Sequence, residues 1–142
     1  MTVIEKYKIL GQYIKDSSSE TPNIETYLFV RENISNYKLG IDIASKPLKN
    51  KMIEITTKLI FQDKEDSKKK SYFEMNYSTI IQLTEEISDK KELEKIILCD
   101  VQNKIYPDLE TAFLNLLHDS GYKSVKFNKK IDFEDLYKQK FN

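Results

Sequence analysis

The hydrophobic residues of this chain change their spacing near Leu83, and that change limits the folds available to it. Before Leu83 they occur at every second position in segments rich in β-branched and aromatic residues, which predicts strands with one buried face. After it they recur about every 3.6 residues from Leu93 to Leu117, which predicts a long amphipathic helix. Strands followed by helices indicate an α+β fold, with an antiparallel sheet packed against helices.

Separate segments of the first half carry the strand pattern. They are Lys6–Ile14, Tyr37–Ile43, Met52–Phe61 and Ser71–Leu83. The first of them is expected to end at a turn formed by Lys15 and Asp16. We therefore predict a four-stranded antiparallel sheet with one long kinked helix and one short C-terminal helix, in a single domain over residues 1–142.

Residues that start, bend or end helices lie at positions consistent with this prediction. Asp89 predicts the N-terminal cap of the long helix, and Ser120–Gly121 predicts its end. Pro107 lies inside this helix and has no backbone N–H, so we expect a kink or break near Asn103–Tyr106. Asp132 predicts the cap of the short last helix.

The composition argues against nucleic-acid binding. The chain has 23 Lys and Arg against 23 Asp and Glu, so it lacks the excess of basic residues that displaces counterions from a nucleic acid. Arg31 is the only arginine, which leaves almost no side chain able to bind a phosphate in bidentate fashion. We therefore expect protein partners and no nucleic acid.

Residue types that carry chemistry are scarce. Cys99 is the only cysteine, so no intramolecular disulfide is possible, and we expect it to be a small buried hydrophobic residue. His118 is the only histidine, with no nucleophile motif in the chain, and its place near a helix C-terminus suffices to explain it. No glycine-rich loop is present to bind a phosphate. We expect no catalysis, no cofactor and no metal.

No apolar run approaches the ~20 residues that a membrane span needs. The first residues lack the apolar segment of a secretory signal. We therefore expect a cytoplasmic protein with no direct membrane insertion.

A series of short motifs resembles the SecB family of bacterial protein-export chaperones. They are Y-x-K-D-x-S-x-E-x-P-N at Tyr13–Asn23, the strand Lys38–Ser45, the segment Tyr72–Met75, the aromatic–proline step Ile105–Pro107 and the helix start Ile131–Tyr137. None is specific alone, and their order and spacing together carry the resemblance. It extends over nearly the whole chain.

The resemblance implies a holdase, a chaperone that keeps precursor proteins unfolded and delivers them to the export ATPase SecA. The alternative is a SecB-like chaperone dedicated to one client, such as the antitoxin of a toxin–antitoxin pair. A third hypothesis is an interaction domain unrelated to export. The family implies a homotetramer, a dimer of dimers. The wide helical stripe from Ile96 to Leu117 also indicates self-association, because we expect one sheet to leave part of it uncovered.

The resemblance further implies a docking surface for the C-terminal tail of SecA, formed by Asp16, Glu20, Tyr72 and Glu74. Tyr72 and Glu74 are two residues apart on a predicted strand, so they share a face of the sheet opposite to Phe73. A row of carboxylates there would attract a basic tail. The alternative is that Asp16 and Glu20 are ordinary turn residues and Glu74 is an ordinary solvated one.

The resemblance also implies an apolar groove for unfolded clients, which a chaperone needs because exposed apolar side chains distinguish an unfolded chain. The residues that correspond to it are Tyr37, Leu39, Ile41, Tyr106, Phe133 and Tyr137. The alternative is that these residues fill the core, since both alternation and helical periodicity also predict burial.

Overall fold

The computed structural model describes residues 5–64 and 69–141, with side chains described as far as residue 139. The N-terminal residues 1–4, which contribute to the expectation of no secretory signal, lie outside this range. The predicted strands and helices are present, together with an additional helix. In chain order the elements are β1 (Tyr7–Glu20), α1 (Ile24–Glu32), β2 (Tyr37–Pro47), β3 (Met52–Asp63), β4 (Tyr72–Leu83), α2 (Lys90–Lys95), α3 (Val101–Asp119) and α4 (Phe133–Phe141).

The strands form an antiparallel sheet in the order β1-β4-β3-β2, so β1 and β2 lie at its edges. Alternate residues of the central strands are buried on the face that carries the helices. Ile55 and Leu59 of β3 and Phe73 of β4 have no exposed surface, and they form the floor of the core. The predicted α+β architecture, with helices on one face, is confirmed.

β1 is longer than predicted, and the expected turn at Lys15 and Asp16 is wrong. The strand continues to Glu20, which lies opposite Tyr72 of β4. Two register shifts, between Ile9 and Gly11 and between Ile14 and Asp16, interrupt the alternation of β1. The second shift falls at the expected turn, so the loss of alternation there marks a bulge rather than the end of the strand.

Helix α1 was not expected, because its hydrophobic residues do not follow a helical period. Asn23 begins it, since its side-chain oxygen accepts the backbone N–H of Thr26 at 2.9 Å. Only Thr26 and Val30 are buried, one turn apart. Ile24, Leu28 and Phe29 remain exposed, so the apolar residues surround the helix instead of defining one face.

α2 and α3 form one long helix, joined by a π-helical turn at Ile96–Asp100. Its predicted limits are confirmed: Asp89 accepts the N–H of Lys91 at 3.0 Å, and Gly121 follows the end with a φ of +107°. Of the predicted kink or break near Asn103–Tyr106, the break does not occur, because α3 continues through Pro107. Pro107 and Asn103 both lie on the exposed side, where water can satisfy the Asn103 carbonyl that the proline leaves unbonded.

The face of α3 that packs on the sheet carries buried apolar residues about one turn apart. They are Ile105, Leu109, Phe113 and Leu117. The opposite face is polar, and no large hydrophobic residue of 90–119 is among the exposed ones in the described part of the chain. The helical stripe is thus only partly uncovered, since Ile96, Ala112 and Leu116 are half-buried and none of its large hydrophobic residues is fully exposed. The exposed apolar residues lie mainly on β1 and α1.

A buried polar contact fixes the long helix on the sheet beside the π-helical turn. The Thr57 hydroxyl of β3 donates to the side-chain oxygen of Gln102 at 2.9 Å, and the Gln102 amide donates to the Ile97 carbonyl at 3.2 Å. Thr57 and Gln102 have no exposed surface. Each side chain thus provides a hydrogen-bond partner for the other, which buried polar groups require.

We expect Gln102→Ala to lower the free energy of unfolding by about 2–4 kcal/mol, because it leaves a cavity and two buried groups without partners. The exposed neighbour Asn103 offers a matched control, and Asn103→Ala should change stability by no more than about 0.5 kcal/mol. Urea unfolding of both variants measures the difference. Equal stability of the two variants would show that the buried contact does not hold the helix.

Candidate functional site

Sheet register brings the predicted SecA-docking residues together on the face that points away from the helices. We call Asp16, Glu20, Tyr72 and Glu74 the acidic row. Glu20 lies opposite Tyr72, and Ser18, between the two acidic residues of β1, lies opposite Glu74. Asp16 and Glu20 are exposed strand residues, whereas Tyr72 and Glu74 are half-buried.

Glu74 is not a free carboxylate. It accepts from Lys58 Nζ of β3 at 2.9 Å and from the Tyr72 hydroxyl at 3.0 Å. The hydrogen bond from Lys58, with that from Tyr72, holds the pKa of Glu74 below its usual value. Burial and the neighbouring Glu74 carboxylate raise the pKa of Tyr72. The exposed negative charge of the acidic row therefore comes from Asp16 and Glu20.

A second carboxylate network on the same face was not foreseen from the sequence. Glu54 of β3 accepts from the Ser78 hydroxyl at 2.8 Å and from the Tyr13 hydroxyl at 3.2 Å, and it pairs with Lys15 at 3.4 Å. The hydrogen bond from Ser78 is the main cause of a lowered pKa of Glu54. Residues from three strands meet here, so only the sheet register could have revealed the network.

On the helix side, a cleft of about 310 Å³ lies between β2 and α4. We call it the α4 cleft. Its apolar lining includes Ile41, Ile43, Leu98, Phe133, Leu136 and Tyr137. Leu136 is 38% exposed and was not predicted, although it lies on the same short helix as Phe133 and Tyr137. The Cys99 thiol lies buried under this cleft, 3.5 Å from the Phe133 carbonyl, as expected for a small hydrophobic residue in the core.

A second cleft, of about 400 Å³, lies at the start of β2 and is closed by residues 124–127. We call it the β2 cleft. Tyr37, Leu39, Phe61 and Phe127 form its apolar surface, and Lys38 and Lys126 also line it. Phe127 was not predicted, because residues 122–131 follow neither a strand nor a helix period.

A third cleft, of about 420 Å³, lies beside α3 and is lined by Tyr106, Pro107, Ile131 and Phe133. Phe133 also lines the α4 cleft, so the two clefts adjoin. The rings of Tyr106 and Phe133 pack edge to face with centroids 5.5 Å apart. Burial, together with the neighbouring Glu110 carboxylate, raises the pKa of Tyr106.

Each predicted client-binding residue lines one of these clefts, at different depths. Tyr37, Tyr106 and Phe133 are buried, with 7%, 8% and 2% exposure. Leu39, Ile41 and Tyr137 are half-buried. The first three residues therefore form the inner walls of the clefts, whereas the other three keep part of their surface accessible.

The structure gives His118 a local role. Its Nε2 lies 2.9 Å from the Val125 carbonyl, a contact that joins the end of α3 to the following segment. Within residues 5–64 and 69–141, no cluster of three or more His, Cys, Asp or Glu side chains could hold a metal ion. No helix in the same ranges is long and apolar enough to cross a membrane.

The fold and clefts define a SecB-like class of structure. A SecB-like chaperone from Mycobacterium tuberculosis, solved in complex with a ChAD peptide from the HigA1 antitoxin, has a TM-score of 0.64 to this chain. The match covers 88% of this chain and 91% of that chain at 9% identity, so it shows the fold alone.

The family profile of Preprotein translocase subunit SecB matches residues 2–142, and the chain belongs to the SecB family of protein-export chaperones. A SecB homologue from Pelagibacter ubique is 62% identical over 138 residues, 97% of this chain and 99% of that protein. Protein-export protein SecB from Rhodospirillum rubrum is 22% identical over 132 residues, 93% of this chain and 80% of that protein. The resemblance is confirmed, and a domain unrelated to this family is excluded.

The pairing of Glu74 predicts a pH-dependent contribution to stability. Because its pKa is lower in the folded state, the charged carboxylate stabilises the fold above its ordinary value of 4.5, and this contribution is lost as the pH falls through the folded-state pKa. We expect Glu74→Gln to lower the free energy of unfolding by about 0.5–1 kcal/mol near neutral pH and by much less near pH 3.

Urea unfolding at the two pH values measures this difference. Glu20→Gln, at an exposed position in the same row, serves as the control and should have little effect at either pH. An equal loss for Glu74→Gln at both pH values would show that its charge does not stabilise the fold.

Proposed function

We propose that this member of the SecB family is a cytoplasmic holdase that binds unfolded precursor proteins and delivers them to SecA. The observation that carries the proposal is the set of adjoining clefts beside β2 and α3, which present half-buried apolar side chains to solvent. Burial of a Leu- or Phe-sized side chain contributes about 1.5–3 kcal/mol. Several such contacts along the clefts would hold an unfolded chain without requiring a particular sequence.

The separation of the two surfaces supports delivery as well as holding. The acidic row lies on the outer face of β1 and β4, whereas the clefts lie on the helix side, along β2 and α4. A basic tail could therefore dock on Asp16 and Glu20 while a client occupies the clefts. Charge attraction would mainly speed the encounter with SecA, and apolar contacts would hold the client.

We also propose that the protein assembles as a homotetramer, a dimer of dimers. Ile14 of the edge strand β1 lies opposite the buried Tyr77 and is 48% exposed, so it offers apolar surface at the margin of the core that a second copy would cover. Light scattering should give the mass of four copies. Ile14→Lys should reduce this mass, whereas Ile24→Lys, on the exposed side of α1, should leave it unchanged. A monomer at micromolar concentration would contradict the proposal.

Client holding should depend on exposed apolar side chains in the clefts. We expect Leu136→Ser to weaken binding of an unfolded precursor about fivefold to tenfold, because it removes a half-open leucine from the α4 cleft. Leu48→Ser is the matched control, since Leu48 is also 38% exposed but lines none of the three clefts. Prevention of aggregation of a denatured precursor measures the effect. If both variants keep full activity, the α4 cleft does not bind clients.

SecA docking should depend on the charge of the acidic row. Glu74→Lys places a second positive charge beside Lys58, so it should weaken binding of the basic SecA tail about tenfold at low salt and less at high salt. Asp42→Lys is the control: Asp42 lies opposite Lys58 on the same face, but on the side away from β1. Calorimetric titration with the tail measures both, and equal affinities would exclude Glu74 from the dock.

A chaperone dedicated to one client is the second candidate. A SecB-like chaperone of the same fold was solved with an antitoxin peptide, which makes this role worth testing, whereas the 62% identical SecB homologue supports general export. Affinity capture of client proteins from the source cell distinguishes them. Many signal-bearing precursors would support export, and a single antitoxin would support the dedicated role.

A further inference from the structure

The last residues of β1 lie where an edge strand separates most easily from its sheet. Residues 16–20 follow the second bulge of β1, they pair only with β4 in the described sheet, and all five are exposed. Strand ends with few buried contacts open more readily than the centre of a sheet. Glu20 is the last residue of this strand, so the position of its carboxylate depends on what holds the backbone on either side of it.

Hydroxyl groups on both sides of Glu20 bind to the segment that follows α3. The Ser19 hydroxyl lies 2.6 Å from that of Ser120, and the Thr21 hydroxyl lies 3.0 Å from that of Tyr122. Both distances are those of hydrogen bonds. Successive strand residues point to opposite faces, so Ser19 faces the helices whereas Glu20 faces away from them. The carboxylate therefore stays in solvent while both of its chain neighbours are tethered.

The same tyrosine also binds the strand that carries the other half of the acidic row. The Tyr122 hydroxyl lies 2.9 Å from the Ser71 hydroxyl, which in turn lies 2.7 Å from that of Thr21. We call Thr21, Ser71 and Tyr122 the hydroxyl cluster. Ser71 directly precedes Tyr72, which lies opposite Glu20. The hydroxyl cluster therefore joins β1 and β4 beside the pair of residues at the end of the acidic row.

Packing and burial fix the position of the tyrosine itself. Tyr122 is 1% exposed, and the centroid of its ring lies 5.3 Å from those of Phe73 and Tyr27. Gly121 makes the turn before it with a φ of +107°, and a Cβ there would lie 2.7 Å from the Tyr27 ring. The Gly121 carbonyl accepts the Tyr27 hydroxyl at 2.9 Å. A buried ring held by β4 and α1 thus presents its hydroxyl to the end of β1.

We propose that Tyr122 is a positioning residue for SecA docking, because its hydroxyl holds the backbone that carries Glu20 in register with Tyr72. This inference rests on the proposed docking of SecA on the acidic row, and it assigns a role to a buried residue outside that row. A carboxylate that is already held in place loses less freedom when a basic tail binds, so it contributes more to the affinity.

Tyr122→Phe removes the hydroxyl and keeps the ring. It should weaken binding of a peptide of the basic SecA tail about threefold to tenfold at low salt. Tyr77→Phe is the matched control, because the Tyr77 hydroxyl donates to the side chain of Gln12 at 2.9 Å, on the same strand β1 but before its second bulge. This control should bind the tail as the wild type does. Calorimetric titration measures both affinities.

A double-mutant cycle distinguishes positioning from a general loosening of the fold. In Glu20→Gln the charge that the tether positions is absent, so adding Tyr122→Phe should change the tail affinity by less than about twofold. A general loosening would weaken binding by the same factor in both backgrounds, and that result would overturn the proposal. Thr21→Val removes the same contact from the side of the strand and should behave as Tyr122→Phe does.

The other outcomes separate this inference from the proposed dock. If Glu20→Gln weakens tail binding but neither hydroxyl variant does, the dock stands and the positioning role of Tyr122 fails. If Glu20→Gln itself binds with unchanged affinity, Glu20 is not part of the dock, and this inference fails with it. A loss in Tyr77→Phe equal to that in Tyr122→Phe would also overturn the inference, since any tether of β1 would then have the same effect.

Amide hydrogen exchange reports the position of the strand directly. In Tyr122→Phe, the amides of residues 16–20 that bond to β4 should exchange at least about threefold faster than in the wild type. The amides of β3, in the centre of the sheet, should exchange at the wild-type rate. Unchanged exchange at residues 16–20 would show that the tyrosine hydroxyl does not hold the end of β1, and it would overturn the proposal.

Discussion

The packing of α3 against the middle of the sheet is the contact on which the other surfaces of this protein depend. Buried residues of α3 cover β3 and β4, whose inner side chains are fully removed from water. Burial falls towards both edges: Ile41 of β2 is half-buried, and Ile14 of β1 is 48% exposed. One helix is too narrow to cover a four-stranded sheet. The two margins of the sheet thus keep apolar surface that the helices do not cover.

The two margins differ in ways that suit different partners. β1 has bulges and exposed apolar side chains, which suit the side-chain contact with a second copy that we propose. β2 has no register shift, and the clefts beside it are bounded by α4 and residues 124–127. The outer face of the sheet is polar, with Glu54 and Glu74 each satisfied by partners on neighbouring strands. The unpaired negative charge on this face therefore lies mainly on the exposed carboxylates of β1, beside the paired Glu74.

The sequence predicts strands and helices correctly where their buried side chains recur at a regular spacing. Alternation locates β3 and β4 almost to the residue, and the cap residues Asp89 and Gly121 locate the ends of the long helix. Prediction fails where contacts with distant parts of the chain, and not a regular hydrophobic spacing, stabilise the element. α1 buries only Thr26 and Val30, so it leaves no helical pattern. The π-helical turn depends on contacts of Gln102 with β3 and Ile97, which no local pattern shows.

The candidate sites show the same limit. Tyr72 and Glu74 share a face because they are two residues apart, and the sequence shows this directly. That Lys58 neutralises Glu74 follows from the register of β3 against β4, which the sequence does not specify. Likewise, the family resemblance selects Leu39 and Ile41 but does not show their depth, which depends on how α4 and residues 124–127 close over β2.

The partial burial of the clefts bears on how a client would be released. Leu39 and Ile41 are already half-buried in the free protein, so a client gains less from each than the ~1.5–3 kcal/mol of a fully buried side chain. Association also costs about 4–15 kcal/mol, because the two molecules lose translational and rotational freedom. Stable holding then needs many weak contacts made together along the clefts. A partner that removes a few of them shifts the balance to release, because no single contact carries the affinity.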